Sequence, residues 1–237
     1  MGRCAAPGWL SSVFCAAIPG VAAAMTPCPD SMTIIDCHTH QPRPQAVVQA
    51  SPSSIQEPGL VYSVGIHPWD TAGDFDMKTL RAALLRPGTV AVGEAGLDAL
   101  RGAPMVRQIE IFEAQIELSE SLGLPLIIHC VRASHHLLEL RRHLKPSQPW
   151  IYHGFRGGAA AARQLLDAGL YLSLGPKFND AAARAIPSDR LLIETDDTVI
   201  DIADVARSVS AARGNDITDT ATELATAIFS GGRKRGL

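Results

Sequence analysis

After residue 32 the chain repeats one alternation. Short runs rich in Ile, Val and Leu lie at 33–36, 46–50, 60–66, 90–93, 125–129, 150–153, 170–174 and 190–194. Between most of them, apolar residues return at helical spacing. Several runs are apolar at nearly every position rather than at every second one, as strands buried on both faces are. Strands alternating with helices give parallel βα units, and eight of them is the number that closes a small barrel.

The helical stretches have legible ends. Asp74 or Asp76 can cap a helix carrying Met77, Leu80 and Leu84 that stops at Pro87-Gly88. Ile109, Phe112 and Ile116 share one face of the next helix, which runs to about Leu122. A third helix spans 134–144, before Pro146, and a fourth spans 159–168 and ends at Gly169. Thr220 and Glu223 have capping-box spacing ahead of Leu224 and Ile228. Only about twenty residues separate His40 from Leu60, and Pro42, Pro44, Pro52 and Pro58 are among them. That leaves room for one strand but not for two crossover helices. The expected fold is therefore α/β, a TIM-type (β/α)8 barrel that is compact or irregular in its first βα units.

Composition agrees with one such domain. At 237 residues, 46% apolar and 19% charged, the chain has the size of a single barrel and the apolar content for a large core. We expect the barrel over 32–230, an extension at 1–31 and a solvated tail at 231–237. The extension is rich in Ala, Gly, Pro and Cys, and its apolar part is broken by Pro19-Gly20, too short for a membrane span. It reads as a start codon placed too early, with Met32 opening the protein; the alternative is a weak signal peptide ending at Ala22-Ala23-Ala24. Five cysteines (Cys4, Cys15, Cys28, Cys37 and Cys130) form no CxxC and are odd in number, which excludes a disulfide framework or zinc ribbon and fits the cytoplasm. The net charge of −3 excludes a broad basic face. A nucleic-acid partner would have to be held by metal and by local arginines.

Chemistry collects where a barrel enzyme keeps it, at the C-terminal ends of the strands. The first strand ends in Asp36-Cys37-His38-Thr39-His40. By strict alternation both histidines face one centre, with Asp36 beneath them and Cys37 and Thr39 turned away. Two same-face imidazoles after an apolar strand read as metal ligands. His67, in Gly65-Ile66-His67-Pro68, lines the site, either holding a ligand or touching substrate. Glu94, between glycines in Gly93-Glu94-Ala95-Gly96-Leu97-Asp98, can use both oxygens and bridge two cations. Asp98 is as readily a loop cap or salt-bridge partner. His129 and His153 end the fifth and sixth strands and repeat the ligand pattern. Asp196 follows the last apolar run and is placed to bind metal and to accept a proton, with Glu194 deeper on the same face and Asp197 at the rim. Arg132 and Arg156 are candidate phosphate contacts. His135, His136 and His143 fall in a helical stretch and read as solvated.

Asp-x-His-x-His, Gly-x-His-Pro, Gly-Glu-x-Gly-Leu-Asp, Ile-His-Cys, His-Gly-Phe-x-Gly and Leu-x-Glu-Thr-Asp occur in this order from Asp36 to Asp196. The set resembles the TatD family of metal-dependent deoxyribonucleases. The resemblance implies two divalent ions (Mg2+, Mn2+ or Zn2+), one among His38, His40, Glu94 and Asp196 and the other among Glu94, His129 and His153. It implies hydrolysis of DNA phosphodiester bonds; from the chain itself we expect no membrane and no obligate protein partner. Asp197-Thr198 depart from the small residue and proline usual there, and the first βα region is short, so substrate choice stays open. The rivals are a barrel amidohydrolase or esterase acting on a small amide or ester, and a non-catalytic metal-binding scaffold.

Overall fold

The computed structural model describes residue 33 and residues 35–231. The expectations for residues 1–31, for a start at Met32 and for residues 232–237 of the tail lie outside the described residues. Eight parallel strands close in sequential order into a barrel: β1 (Asp36–Thr39), β2 (Ala46–Ala50), β3 (Val61–Val64), β4 (Thr89–Asp98), β5 (Leu126–Val131), β6 (Trp150–Tyr152), β7 (Tyr171–Leu174) and β8 (Leu191–Ile193). Each expected run overlaps one of them. Among the described residues the helices are α1 (Met77–Leu84), α2 (Met105–Leu122), α3 (Ser134–Leu144), α4 (Ala159–Asp167), α5 (Asp180–Ala185), α6 (Ile202–Arg213) and α7 (Thr218–Ser230). None of them is long and apolar enough to cross a membrane.

The first two crossovers carry no helix. Residues 40–45 alone link β1 to β2, and residues 51–60 link β2 to β3. Parallel neighbours normally need a dozen or more connecting residues. Here β1 has only four residues, about 13 Å of rise, and six extended residues reach about 20 Å. The proline-rich link can therefore return directly.

Two apolar clusters divide the interior by strand alternation. One joins Val48, Tyr62, Val64, Val92, Leu126, Ile128, Leu172 and Leu191 to the helices outside the barrel. The other fills the lumen with Cys37, Val47, Val61, Ala91, Ile127, Ile151 and Leu192, and α7 closes it with Ala225, Ile228 and Phe229. That closure lies at the starts of the strands, where Val47, Val61 and Val90 sit. The opposite, C-terminal end is left for chemistry.

Several local expectations are corrected. The first strand begins at Asp36, not at residue 33, and β4 runs on to Asp98. Asp76 caps α1 by accepting from Lys78 N and Thr79 N. Thr220 and Glu223 do not form a capping box: α7 starts two residues earlier, and the Thr220 hydroxyl donates back to the Ile217 carbonyl. Asp216 instead accepts from the backbone N–H of Thr218. Strict alternation also fails in β1. Asp36 pairs with Ala46 but Thr39 with Val48, so β1 carries one residue more than its partner over this stretch. The bulge turns the Cys37 thiol into the lumen, 3.0 Å from the Ser173 hydroxyl. It also takes Asp36 from beneath the histidines to β8, where its carboxylate accepts from Thr195 N and Oγ1 at 3.1 and 2.6 Å. Burial pushes the Asp36 carboxyl up to about 7 despite those bonds.

Helix α2 fixes two strand ends by hydrogen bonding. Its inward stripe is Gln108, Ile111, Phe112, Gln115, Ile116 and Ser119, with Ile109 only partly buried. Gln115 accepts from Ile66 N at 2.7 Å and donates to Ile66 O at 3.1 Å, clamping the residue before His67. Gln108 accepts from Asp98 N at 2.7 Å and donates to the carbonyls of Asp98, Arg101 and Ala103. At the end of β4, Gly96 has φ +146°, and a Cβ there would run into the His129 carbonyl.

Two substitutions test these points. Gln115→Leu leaves the buried N–H and C=O of Ile66 unpaired, and we expect a loss of about 2–4 kcal/mol in urea unfolding. Gly96→Ala, strained in both φ and space, should cost at least about 2 kcal/mol in the same assay.

Candidate metal centre

At the C-terminal mouth, the bulge in β1, the turn after β3 and the strands β4, β5, β6 and β8 bring five histidines and two carboxylates together. Glu94 stands at the centre and is 2% exposed. Its two oxygens face different companies. Oε1 lies 2.6 Å from His129 Nδ1, 2.7 Å from His153 Nε2 and 3.1 Å from His67 Nε2. Oε2 lies 3.4 Å from His38 Nε2 and 3.5 Å from His40 Nε2. Those two imidazole nitrogens are also 3.8 and 3.7 Å from Asp196 Oδ1. Burial opposes the charge on Glu94, but His153 and His129 more than offset it and hold its carboxyl well below the usual range. Burial likewise opposes the charge on His153, and Glu94 and Glu194 drive its pKa well above the ordinary imidazole value.

The donor chemistry fits divalent cations. His38 is fully buried, and neither of its ring nitrogens has a hydrogen-bond partner. A native interior rarely leaves such groups unmatched. Two ligands on one ion, each about 2.1 Å from it, stand roughly 3.0–3.5 Å apart, and the separations around Glu94 Oε2 lie near the upper end of that span. Three overlapping groups could hold an ion: His38, His40 and Glu94; His38, His153 and Asp196; and His67, Glu94 and His129, the donor atoms within each lying within 4.8 Å of one another.

All six of the expected ligand positions are thus in one cup, and the structure adds His67. The sequence left His67 between a holding and a substrate-touching role; here its Nε2 reaches Glu94 directly, while its Nδ1 accepts from Trp69 N. His153 contributes to both halves, touching Glu94 and grouping with His38 and Asp196. Behind the cup stands a second ring of carboxylates. Glu194 Oε1 is 3.3 Å from His153 Nδ1, and Asp98 Oδ2 is 3.3 Å from His129 Nε2. Asp98 also accepts from the Trp69 indole at 2.6 Å and caps the turn at Leu100. Both carboxyls are lowered: burial resists ionisation, and His153 in one case and Trp69 in the other outweigh it.

Asp196 adopts φ +55°, and its backbone bridges β8 to β1 by bonding His38 O and His40 N. Its side chain is 21% exposed, so it sits at the rim. Arg156 lines a small cavity there with Asp196, Asp197 and Lys177. Arg132 is exposed after β5. His143 lies outside the cup, as do His135 and His136, which line a separate cavity beside Asp98. Burial pushes the Cys37 thiol well up from its ordinary value. The sequence reading missed Lys177, Trp69 and the two glutamines of α2. The glutamines did leave a trace, as amides seven residues apart on the apolar stripe of their helix.

Known proteins share this plan. The profile of the family described as "TatD related DNase" matches residues 31–226. The uncharacterized metal-dependent hydrolase YcfH of Escherichia coli is 36% identical over 146 residues, 58% of this chain and 55% of that protein. The 3'-5' ssDNA/RNA exonuclease TatD of Cronobacter turicensis is 35% identical over 156 residues, 58% of this chain and 57% of that protein. The chain thus spans little more than half the length of the curated relatives it matches. The solved structure of YJJV, a TatD homologue from E. coli, superposes with a TM-score of 0.68 at 21% identity, covering 85% of this chain and 98% of that one, and supports the barrel fold. With the profile matching nearly all of the described barrel, the chain belongs to the TatD related DNase family.

Proposed function

We propose that the chain is a divalent-metal-dependent hydrolase that cleaves phosphodiester bonds in DNA, with residues 32–230 as its catalytic domain. One observation carries this reading: the two oxygens of a single buried carboxylate, Glu94, face separate histidine groups, the arrangement a bridging ligand between two cations requires. In this reading His38, His40, Glu94 and Asp196 hold one ion, and Glu94, His129 and His153 hold the other, with His67 alongside. Mg2+, Mn2+ and Zn2+ all suit oxygen and imidazole donors. When bound, such ions acidify water and offset charge on phosphate oxygens.

The protein's own groups have distinct tasks. Glu94 spans the two halves of the cup and fixes their separation. Asp196, at the rim, accepts the proton of the attacking water. Glu194 and Asp98 orient the imidazoles of His153 and His129, which sets which nitrogen each presents to the cup. Arg156 and Arg132 offer charge to the flanking phosphates, and Lys177 joins Arg156 in this role. The names of the nuclease relatives support a nucleic-acid substrate, and the free thiols of Cys37 and Cys130 support a reducing, cytoplasmic setting. A barrel amidohydrolase is the weaker reading, because many of those enzymes bridge their metals with a carboxylated lysine and here Glu94 takes the central place.

The direct test is hydrolysis of end-labelled single-stranded DNA by the full chain with Mg2+, Mn2+ or Zn2+. We expect nucleotide release that requires metal and falls at least about 10³-fold in Glu94→Gln. A wild type that binds metal yet leaves DNA intact under all three conditions would overturn the substrate, and small esters and amides would then be assayed. Glu194→Gln, which alters the carboxylate that partners His153, should weaken metal binding about 10–100-fold in calorimetric titration while the barrel still melts cooperatively.

A further inference from the structure

Beside His129 and Asp98, the loops after β3 and β4 bring together an aromatic ring and a guanidinium that the metal chemistry does not use. Trp69 is 46% exposed although it stands at the edge of the centre. Its ring is edge-on to His67 and His129, with centroids 4.7 and 5.8 Å away, and its indole N–H is tied to Asp98. The indole is therefore held in a fixed plane. Over it lies the exposed Arg101 guanidinium, 4.4 Å from the ring centroid. Arg101 also lines a cavity of about 440 Å3, together with Asp98, Leu100, His135 and His136. That volume is within the span of small-molecule sites, about 300–1,000 Å3.

A planar cation with an aromatic ring behind it is a surface on which unpaired bases stack. Both grooves of a duplex hide the faces of its bases, so such a surface recognises single strands. The cavity adjoins Asp98, which touches His129 from behind the cup, so an occupant would lie across that one pair of side chains from the metal groups. His135 and His136, whose rings are 3.8 Å apart, would face it from the start of α3. Resting on the phosphodiesterase reading above, we propose that Arg101 and Trp69 form a nucleobase subsite: the base flanking the scissile phosphate enters this cavity and stacks on the Arg101 guanidinium, which the indole backs.

The test compares two single-stranded oligonucleotides with the same sugar-phosphate chain, one bearing bases and one abasic throughout. Hydrolysis by the full chain is followed for KM and kcat, and binding by fluorescence anisotropy. Trp69 is left unchanged, because its bond to Asp98 supports His129; Arg101 makes no such contact and is varied to Ala and to Lys. We expect the wild type to favour the base-bearing strand by about tenfold in KM and in anisotropy. Arg101→Ala should erase that preference and still cleave the abasic strand. Arg101→Lys keeps the charge but not the plane, so it should lose the preference too. Equal KM for both strands in the wild type would overturn the subsite, as would a preference that survives in Arg101→Ala. If neither strand is cut, the phosphodiesterase reading falls, and the anisotropy comparison still decides whether a base binds here.

Discussion

Everything at the mouth of this barrel depends on placing one ionised carboxylate out of water. Glu94 is almost wholly buried, and an isolated charge in such surroundings is prohibitively unfavourable. Imidazoles must surround it, and those imidazoles must be aimed. The aiming explains the second ring, in which Glu194 and Asp98 hold the far nitrogens of His153 and His129. It also explains why β4 is threaded with glycines. Gly96 lets the strand pass against the His129 backbone, so that neighbouring side chains converge instead of standing apart. Polar side chains on α2 extend the same demand outward, since Gln115 and Gln108 fix the chain beside His67 and at Asp98. The cup is thus the innermost of three layers, each holding the one within it.

The sequence made the barrel and the cup legible because both obey simple spatial rules. Strands covered on both faces must be apolar throughout, so 126–128 and 191–193 stand out without any alignment. Reactive groups in this architecture sit at strand ends, so His129, His153 and Asp196 could be read from position. What escaped depended on departures from regularity. Alternation along β1 misplaced Asp36 and Cys37, because one extra residue in a strand reverses the face of every later side chain. For His67 two readings stayed open, and its contact with Glu94 decides between them through a turn after β3 that no periodicity encodes. Lys177 and Trp69 lie in loops whose chemistry appears only when distant strands are closed together. Helix α5, six residues long, is too short to show a repeating face.

The first third of the chain shows how far a barrel can be economised. In a regular unit the returning helix both spans the strand and covers its outer face. Here β1 and β2 are so short that six residues suffice to return, through a link that holds Pro42 and Pro44 and turns at Gln45, whose φ is +59°. The chain covers only little more than half of the curated relatives' length, yet almost the whole of a solved relative's fold. Ring closure needs the eight strands and their register, and it tolerates the loss of connecting helices.

The short link after β1 has a consequence for how solvent meets the centre. His40 is the last residue before the chain descends, and its side chain is 41% exposed while His38 beside it is sealed. The six-residue connection that follows carries no helix beside it. Of the grouped side chains, His40 is accordingly the one that solvent reaches most freely, and His38 the one it does not reach. A molecule arriving from the β1 side would meet His40 before it met His38.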